Sequence, residues 1–405
     1  MRKAAAAAAA LALAACAGPT PRVPPEAAVV PPAGWRTSPG PTAPSERMWW
    51  QRFGDPALSR LVDAALARNT DIAIAAARVR EARAQEALAR SQLFPSLDIG
   101  AGPVIARTIS PLGTPTTSES IQPVFQAAYE LDLFGRVGTQ VEAARQGTLA
   151  SEAGRDAAAL AVAAATASGY ITLRALDARL DIVRATLESR AEALRIARDR
   201  ARVGYTSELE LRQAEAEYEA TAQIVPQVQL AISRQEDALS LLAGEAPRAI
   251  ERGVPLGALR APPIPDALPS DLLRRRPDIA QAEFTLAASD RTLAAARAQF
   301  LPQVRLTGSA GTLVSSALGD PIALWSIGGS ILAPIFNGGR IRAQVDTAAA
   351  RRDQAAFAYR RTALTAFREV EDNLAAVQRL REQRASLERQ RVALAGALRH
   401  ARNRY

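Results

Sequence analysis

VFQAAYELDLFGR, residues 124–136, alternates with a period of two before it breaks at a glycine. Phe125, Ala127, Tyr129, Leu131 and Leu133 fall on one face, and Gln126, Ala128, Glu130 and Asp132 on the other. Ten such residues predict a strand with one apolar and one polar side. After Gly135-Arg136 the pattern changes. No proline interrupts the next 65 or so residues, in which Leu173, Leu180, Leu187 and Leu194 recur every seven, flanked by Leu176, Val183 and Ala197. Strict sevens predict a coiled-coil helix from about 137 to about 203. At the rise of an α-helix it is on the order of 100 Å long. Gly204-Tyr205-Thr206-Ser207 breaks it, with Gly204 placed to terminate it. A returning helix is expected from Ser207-Glu208 to about 243, where Gly244 ends it.

The same order of elements occurs twice. At an offset of 207, Asp71-Ile72 answers Asp278-Ile279, Ala89-Arg90 answers Ala296-Arg297, Gln92 answers Gln299, and Pro95 answers Pro302. At an offset of 204, Arg136 answers Arg340, Gln140-Val141 answers Gln344-Val345, and Glu142 answers Asp346. A nearly fixed offset means two domain-sized copies of one unit. Each copy opens with a helix, expected at about 55–93 and about 270–300, and stopped by Pro95 or Pro302.

Copy two repeats the alternation. Val304, Leu306 and Gly308 interleave with Arg305, Thr307 and Ser309; Trp325, Ile327, Ile331 and Ile335 interleave with Ser326, Gly328 and Ser330. These runs have the length and pattern of barrel strands that cross a bilayer, apolar to lipid and polar to a lumen. Gln126, Glu130, Asp132, Arg305, Thr307 and Ser309 are then the lumen-facing candidates. The segments 108–120 and 311–321, rich in Pro, Gly, Ser and Thr, are expected as loops. Four strands cannot close a barrel, and an open edge in lipid leaves backbone groups unpaired. Several chains must therefore share one barrel; closure alone leaves two, three or four open.

The N-terminus predicts export. Arg2 and Lys3 precede an apolar run from Ala4 to Ala15, too short for a permanent membrane span. It ends in Leu13-Ala14-Ala15-Cys16, which resembles the lipobox of bacterial lipoproteins. That resemblance implies cleavage before Cys16 and lipidation of its thiol; Ala17, rather than aspartate, favours the outer membrane. The proline-rich stretch that follows predicts an extended tether.

Composition narrows the function. The net charge of +9 comes from arginines interspersed with glutamates, without a basic block and interleaved aromatics, so nucleic-acid binding is not expected. One cysteine and one histidine, His400 in a charged helical stretch, leave no disulfide, cysteine-based metal site or thiol nucleophile in the body of the chain. No Gly-rich phosphate loop or nucleophile–base pair is present, so an enzyme is not expected.

Four further stretches are specific: Trp49-Trp50-Gln51-Arg52-Phe53-Gly54-Asp55-Pro56, Leu133-Phe134-Gly135-Arg136, the run from Ser207 to Glu215, and the run from Pro269 to Ile279. They resemble the TolC-like outer-membrane efflux factors, in the lipoprotein branch typified by OprM and NodT, over about 16–405. The resemblance implies an α+β fold, a homotrimer with a shared twelve-stranded barrel and a periplasmic α-helical tunnel. It also implies docking to a periplasmic adaptor and an inner-membrane pump, often of the RND class, with passive conduction and no cofactor. By analogy the turn Gly204, Tyr205, Thr206 and Ser207 is a periplasmic tip and an adaptor contact.

The expected organisation is a signal peptide at 1–15, a tether at 16–48, repeat one at 49–246, a linker at 247–268 and repeat two at 269–405. Through the offset of 204, Tyr405 answers Ala201, so repeat two is expected to stop before its own tip turn and returning helix. The rival reading is a periplasmic coiled-coil structural or adaptor lipoprotein, which accounts for the anchor and the heptads but not for the duplicated strands.

Overall fold

The structure is a computed structural model that describes residues 23–37, 42–43, 48–109, 111, 113–265 and 269–403. The signal segment, Cys16 and Tyr405 lie outside these residues. The fold is α+β. Helices α1 (Pro56–Arg68) and α2 (Thr70–Ser91) lead to strands β1 (Ser96–Gly100), β2 (Pro103–Ile109), β3 (Pro115–Ile121) and β4 (Val124–Leu131). Helices α3 (Arg136–Arg202), α4 (Glu208–Ala222) and α5 (Ile224–Leu242) complete the first repeat. The second contributes α6 (Pro269–Arg275), α7 (Pro277–Ala298), β5 (Gln303–Ser315), β6 (Ile322–Leu332) and α8 (Arg340–Arg402).

The chain forms two compact units, and each repeat contributes to both. Among the described residues, one gathers 23–30 with Arg78–Ala153 and Asp278–Ala366; the other gathers Pro31–Ala77, Gly154–Pro277 and 367–403.

The first unit carries the sheet. β4 pairs antiparallel with β1 on one side and with β5 on the other, and β5 pairs with β6. β2 and β3 form a hairpin whose register runs from Pro103 opposite Ile121 to Ile109 opposite Pro115, and β3 meets β5 at Ile121 and Val314. β1 with β2, and β6, therefore form the two edges, and neither edge has a strand partner among the described residues. The loop expected at 108–120 is largely strand, and that expected at 311–321 is strand as far as Ser315 and turn or bend over 316–320. Cross-strand pairing of Thr and Ser overrides their turn-like composition, and Pro103 and Pro115 sit at strand starts, where a proline is tolerated.

The second unit has its core where α1, α3 and α5 meet. Leu58, Leu61 and Val62 of α1 pack with Ala163, Ala167, Tyr170 and Leu173 of α3, Leu239 and Ala243 around the end of α5, and Trp50 and Ile250 from the flanking segments. Fully burying a leucine side chain contributes about 1.5–3 kcal/mol, so this cluster fixes the three helices together.

Asp55 lies inside that cluster and explains the Trp49–Pro56 motif. Its Oδ1 accepts from the Ala57 and Leu58 N–H groups at 2.8 and 3.3 Å, capping α1, with Pro56 in the first turn. Its Oδ2 accepts from the Tyr170 hydroxyl at 2.9 Å and from Val254 N–H at 3.1 Å. Tyr170 in turn accepts from Gly253 N–H at 2.8 Å. One buried carboxylate thus joins α1, α3 and the inter-repeat linker. Burial above all pushes the Tyr170 hydroxyl up to about 12, the Gly253 N–H opposing and the Asp55 hydrogen bond adding to the rise. A side chain at Gly253 would overlap the Asp55 carboxylate.

Three helices are divided where one was expected. Asn69 separates α1 from α2 in extended backbone, and its side chain accepts from the Asp71 and Ile72 N–H groups at 2.8 and 3.2 Å. Arg276 separates α6 from α7 because Pro277 disfavours helical backbone in the residue before it. Gln223 separates α4 from α5, where Pro226 withholds the N–H that Ala222 would otherwise receive.

The heptad face of α3 packs on its returning partner. Leu173 and Leu194 are buried, with Leu176, Leu180, Val183 and Leu187 half-buried between them. Arg190–Glu217 at 3.2 Å and Arg198–Glu215 at 3.4 Å bridge the two helices. Leu380, Leu387 and Leu394 of α8 are exposed among the described residues.

Candidate functional site

Register sorts the sheet's side chains, because directly opposed residues of antiparallel strands point to the same face. Gln126 opposes Ser309, Ala128 opposes Thr307 and Glu130 opposes Arg305. On β6, Ser326, Gly328 and Ser330 continue those same rows, and on β1 Asp98 and Ser96 extend them to the other edge. Gln126, Glu130, Arg305, Thr307 and Ser309 thus share one polar face. The Ser309 and Ser326 hydroxyls are 2.9 Å apart, and Glu130 accepts from Arg136 at 2.6 Å. Asp98 was legible between Leu97 and Ile99 in a run too short to stand alone.

Asp132 is a correction. It lies beyond the end of β4, and its two carboxylate oxygens accept from the Val137 and Gly138 N–H groups at 3.0 and 2.7 Å. It caps α3, satisfying donors that the first helical turn cannot pair internally, and is not on the strand face.

The opposite face is apolar. Ile99 opposes Phe125, which opposes Ala310, which opposes Trp325. Tyr129 opposes Leu306, Gly308 opposes Ile327, and Leu131 opposes Val304 and then Ile331. Trp325, Ile327 and Ile331 are 76%, 85% and 75% exposed, an uncovered apolar row. Phe94, Leu133, Phe134, Ile335 and Phe336, all exposed, cluster around the strand ends nearest the long helices.

The turn after α3 is built as its residues require. Gly204 has φ +78°, and Tyr205 N–H donates to Arg200 O at 2.9 Å, closing the helix end. Ser207 caps α4 in a reciprocal box: its Oγ accepts from Glu210 N–H and Glu210 Oε2 accepts from Ser207 N–H, both at 3.3 Å. Between them Tyr205 is 86% exposed and Thr206 half-buried. The flanking helices are laced by exposed ion pairs: Arg195 holds the Glu192 carboxyl below the usual carboxylate range, and Arg212 does the same to Glu215.

The profile of the family described as outer membrane efflux protein matches residues 61–245 and 268–405. The chain belongs to the outer membrane efflux protein family. Its members include the solvent efflux pump outer membrane protein SrpC of Pseudomonas putida, 37% identical over 308 residues that cover 74% of this chain and 66% of SrpC. The probable outer membrane lipoprotein SilC of Salmonella typhimurium is 32% identical over 312 residues, covering 76% of this chain and 67% of SilC. The chain thus spans 66% of the length of the solvent and toluene efflux relatives it matches. The structure of the outer-membrane channel OprN superimposes with a TM-score of 0.82 at 31% identity, covering 92% of this chain and 85% of OprN. The fold of the chain is therefore the TolC-like one.

Proposed function

We propose that this chain is the outer-membrane channel subunit of an efflux system. The single observation that carries the reading is the sheet: open at both edges, polar on one face and apolar on the other. A sheet of this kind satisfies its backbone in lipid only by closing with other copies of itself. Three copies joined edge to edge, as the resemblance implies, give a twelve-stranded barrel with Gln126, Glu130, Arg305, Thr307 and Ser309 toward the lumen. The long helices extend from it into the periplasm. A periplasmic adaptor and an inner-membrane pump are its partners, and the tip turn Gly204–Ser207 is an adaptor contact. Acylated Cys16 tethers the chain to the outer membrane. Conduction is passive: the lumen supplies a polar path and the pump supplies the energy, so the chain itself catalyses nothing.

The test is conductance. Purified protein in planar bilayers is expected to give discrete steps, and to run as a heat-modifiable oligomer on gels. A monomer without conductance, soluble once Cys16→Ser removes the lipid, would instead establish the coiled-coil lipoprotein reading.

A further inference from the structure

In the first unit, an open groove of ≈ 640 Å³ lies between the C-terminal half of α2 and the early turns of α3. Three arginines line it, Arg83, Arg90 and Arg145, against two carboxylates, Glu86 and Glu152. Phe94, two residues before β1, closes one end and is 64% exposed. Both Glu86 oxygens are taken, Oε1 by Arg90 at 2.7 Å and Oε2 by the Thr148 hydroxyl at 2.9 Å. Arg83 engages Glu152 at 2.6 Å, and Arg145 reaches Glu142 only at 3.7 Å. Each guanidinium has five N–H donors, so donors remain after these pairings, and the groove lining carries one surplus positive charge.

The second repeat supplies an internal control. Its residues equivalent to Arg83, Glu86, Arg145, Thr148 and Glu152 are Asp290, Leu293, Ala349, Arg352 and Ala356. There Leu293, Ala296 and Ala348 pack into a small apolar core, and the buried Arg352 pairs with Asp353 at 2.8 Å and reaches Asp290 at 4.0 Å. A smaller groove of that repeat, ≈ 400 Å³, is lined by alanine and threonine together with Gln344, Arg340 and Arg351, and lies off these equivalent positions. At the positions of the repeat-one groove, repeat two thus places Leu293 and the buried Arg352 where repeat one has Glu86 and Thr148.

From this geometry we infer that the groove of repeat one is a binding site for the phosphate headgroup of an anionic phospholipid from the periplasmic leaflet of the outer membrane. The inference rests on the channel reading, which sets the strand ends nearest the helices at that membrane surface. Phosphate suits the site because guanidinium donors match its oxygens in geometry and charge. A lipid suits it better than a free anion because Phe94 closes the groove at its membrane end and Leu97 and Ile99 follow on the apolar face of β1.

Native mass spectrometry of the full-length, delipidated protein in detergent tests this, with dioleoylphosphatidylglycerol, dioleoylglycerol or sodium phosphate added. The phosphatidylglycerol adduct is expected on the unmodified protein. It should fall about tenfold in the double variant Arg90→Gln/Arg145→Gln, the loss of about 1.4 kcal/mol of charge-assisted binding. It should persist in Arg297→Gln, the repeat-two counterpart of Arg90. Equal retention by the double variant, equal binding of dioleoylglycerol, or displacement of the lipid by sodium phosphate at matching concentration would overturn the proposal. So would a cross-link from Arg145→Cys to a second copy that blocks the lipid. Conductance recorded on the same samples separates the two ideas, since a protein that conducts but fails the lipid test keeps its channel and loses only this site.

Discussion

Replacing Asp55 by alanine should open the second unit locally. The cap contributes about 1 kcal/mol to α1. Removal also leaves the Tyr170 hydroxyl and Val254 N–H without their acceptor, in a site where Asp55 is 1% exposed. Each orphaned buried donor costs about 1–3 kcal/mol. The sum is about 3–7 kcal/mol, less whatever is regained by no longer desolvating a carboxylate. The reporter is hydrogen–deuterium exchange in peptides covering 49–62 and 247–258, because Ala57, Leu58 and Val254 donate to this carboxylate. A local loss of 3 kcal/mol speeds exchange roughly a hundredfold in the regime where opening is at equilibrium. Asp55→Asn keeps one acceptor oxygen for the cap and should lose less, with its faster exchange concentrated in 247–258. Exchange within about threefold of the unmodified protein in both peptides of Asp55→Ala would refute this account of the clamp, since no buried donor would then have lost a partner worth even 1 kcal/mol.

Alkaline titration probes the same cluster from another side. Because the folded Tyr170 pKa of about 12 lies above the ordinary tyrosine value of 10.0, its stabilising contribution is complete below pH 10 and declines as pH rises toward 12. Circular dichroism should show the second unit losing stability across that window, with a shallower slope in Tyr170→Phe. On the sheet, Ile327→Arg places a charge on the apolar face and should lower barrel stability by about 2–4 kcal/mol near mid-membrane, seen as loss of the heat-modifiable oligomer. Thr307→Arg, on the row beside it, should assemble and alter conductance; similar damage from both would mean that the faces are misassigned. Gly204→Ala forces a side chain into left-handed backbone at a cost of about 1–2 kcal/mol, and faster proteolysis at the tip should report it.

Legibility followed the strength of local periodicity. The long helix of repeat one was readable to within a residue or two, because its leucine sevens and terminal glycine act over many turns. The polar and apolar faces of β4, β5 and β6 were likewise readable from alternation alone. The β2–β3 hairpin was not. Its stability lies in pairing between 103–109 and 115–121, and its Pro, Thr and Ser residues read as a loop until the partner strand is known. Asp132 continued the alternation in sequence, but backbone N–H groups four or more residues on claimed it as a cap. The role of Asp55 could not be read because its partners, Tyr170 and Val254, are far along the chain.

The divided opening helices carry a last implication. Asn69 and Arg276 stand at equivalent positions, 207 residues apart. One copy interrupts its helix with a side-chain cap, the other with a proline that constrains its neighbour. Two unrelated chemical devices thus interrupt the opening helix at the same place in both halves of a duplicated chain. What the halves have in common there is an interruption, not an amino acid. A search for this architecture in other sequences should accordingly look for a helix breaker of any chemistry within the opening helix of each repeat, rather than for a fixed residue.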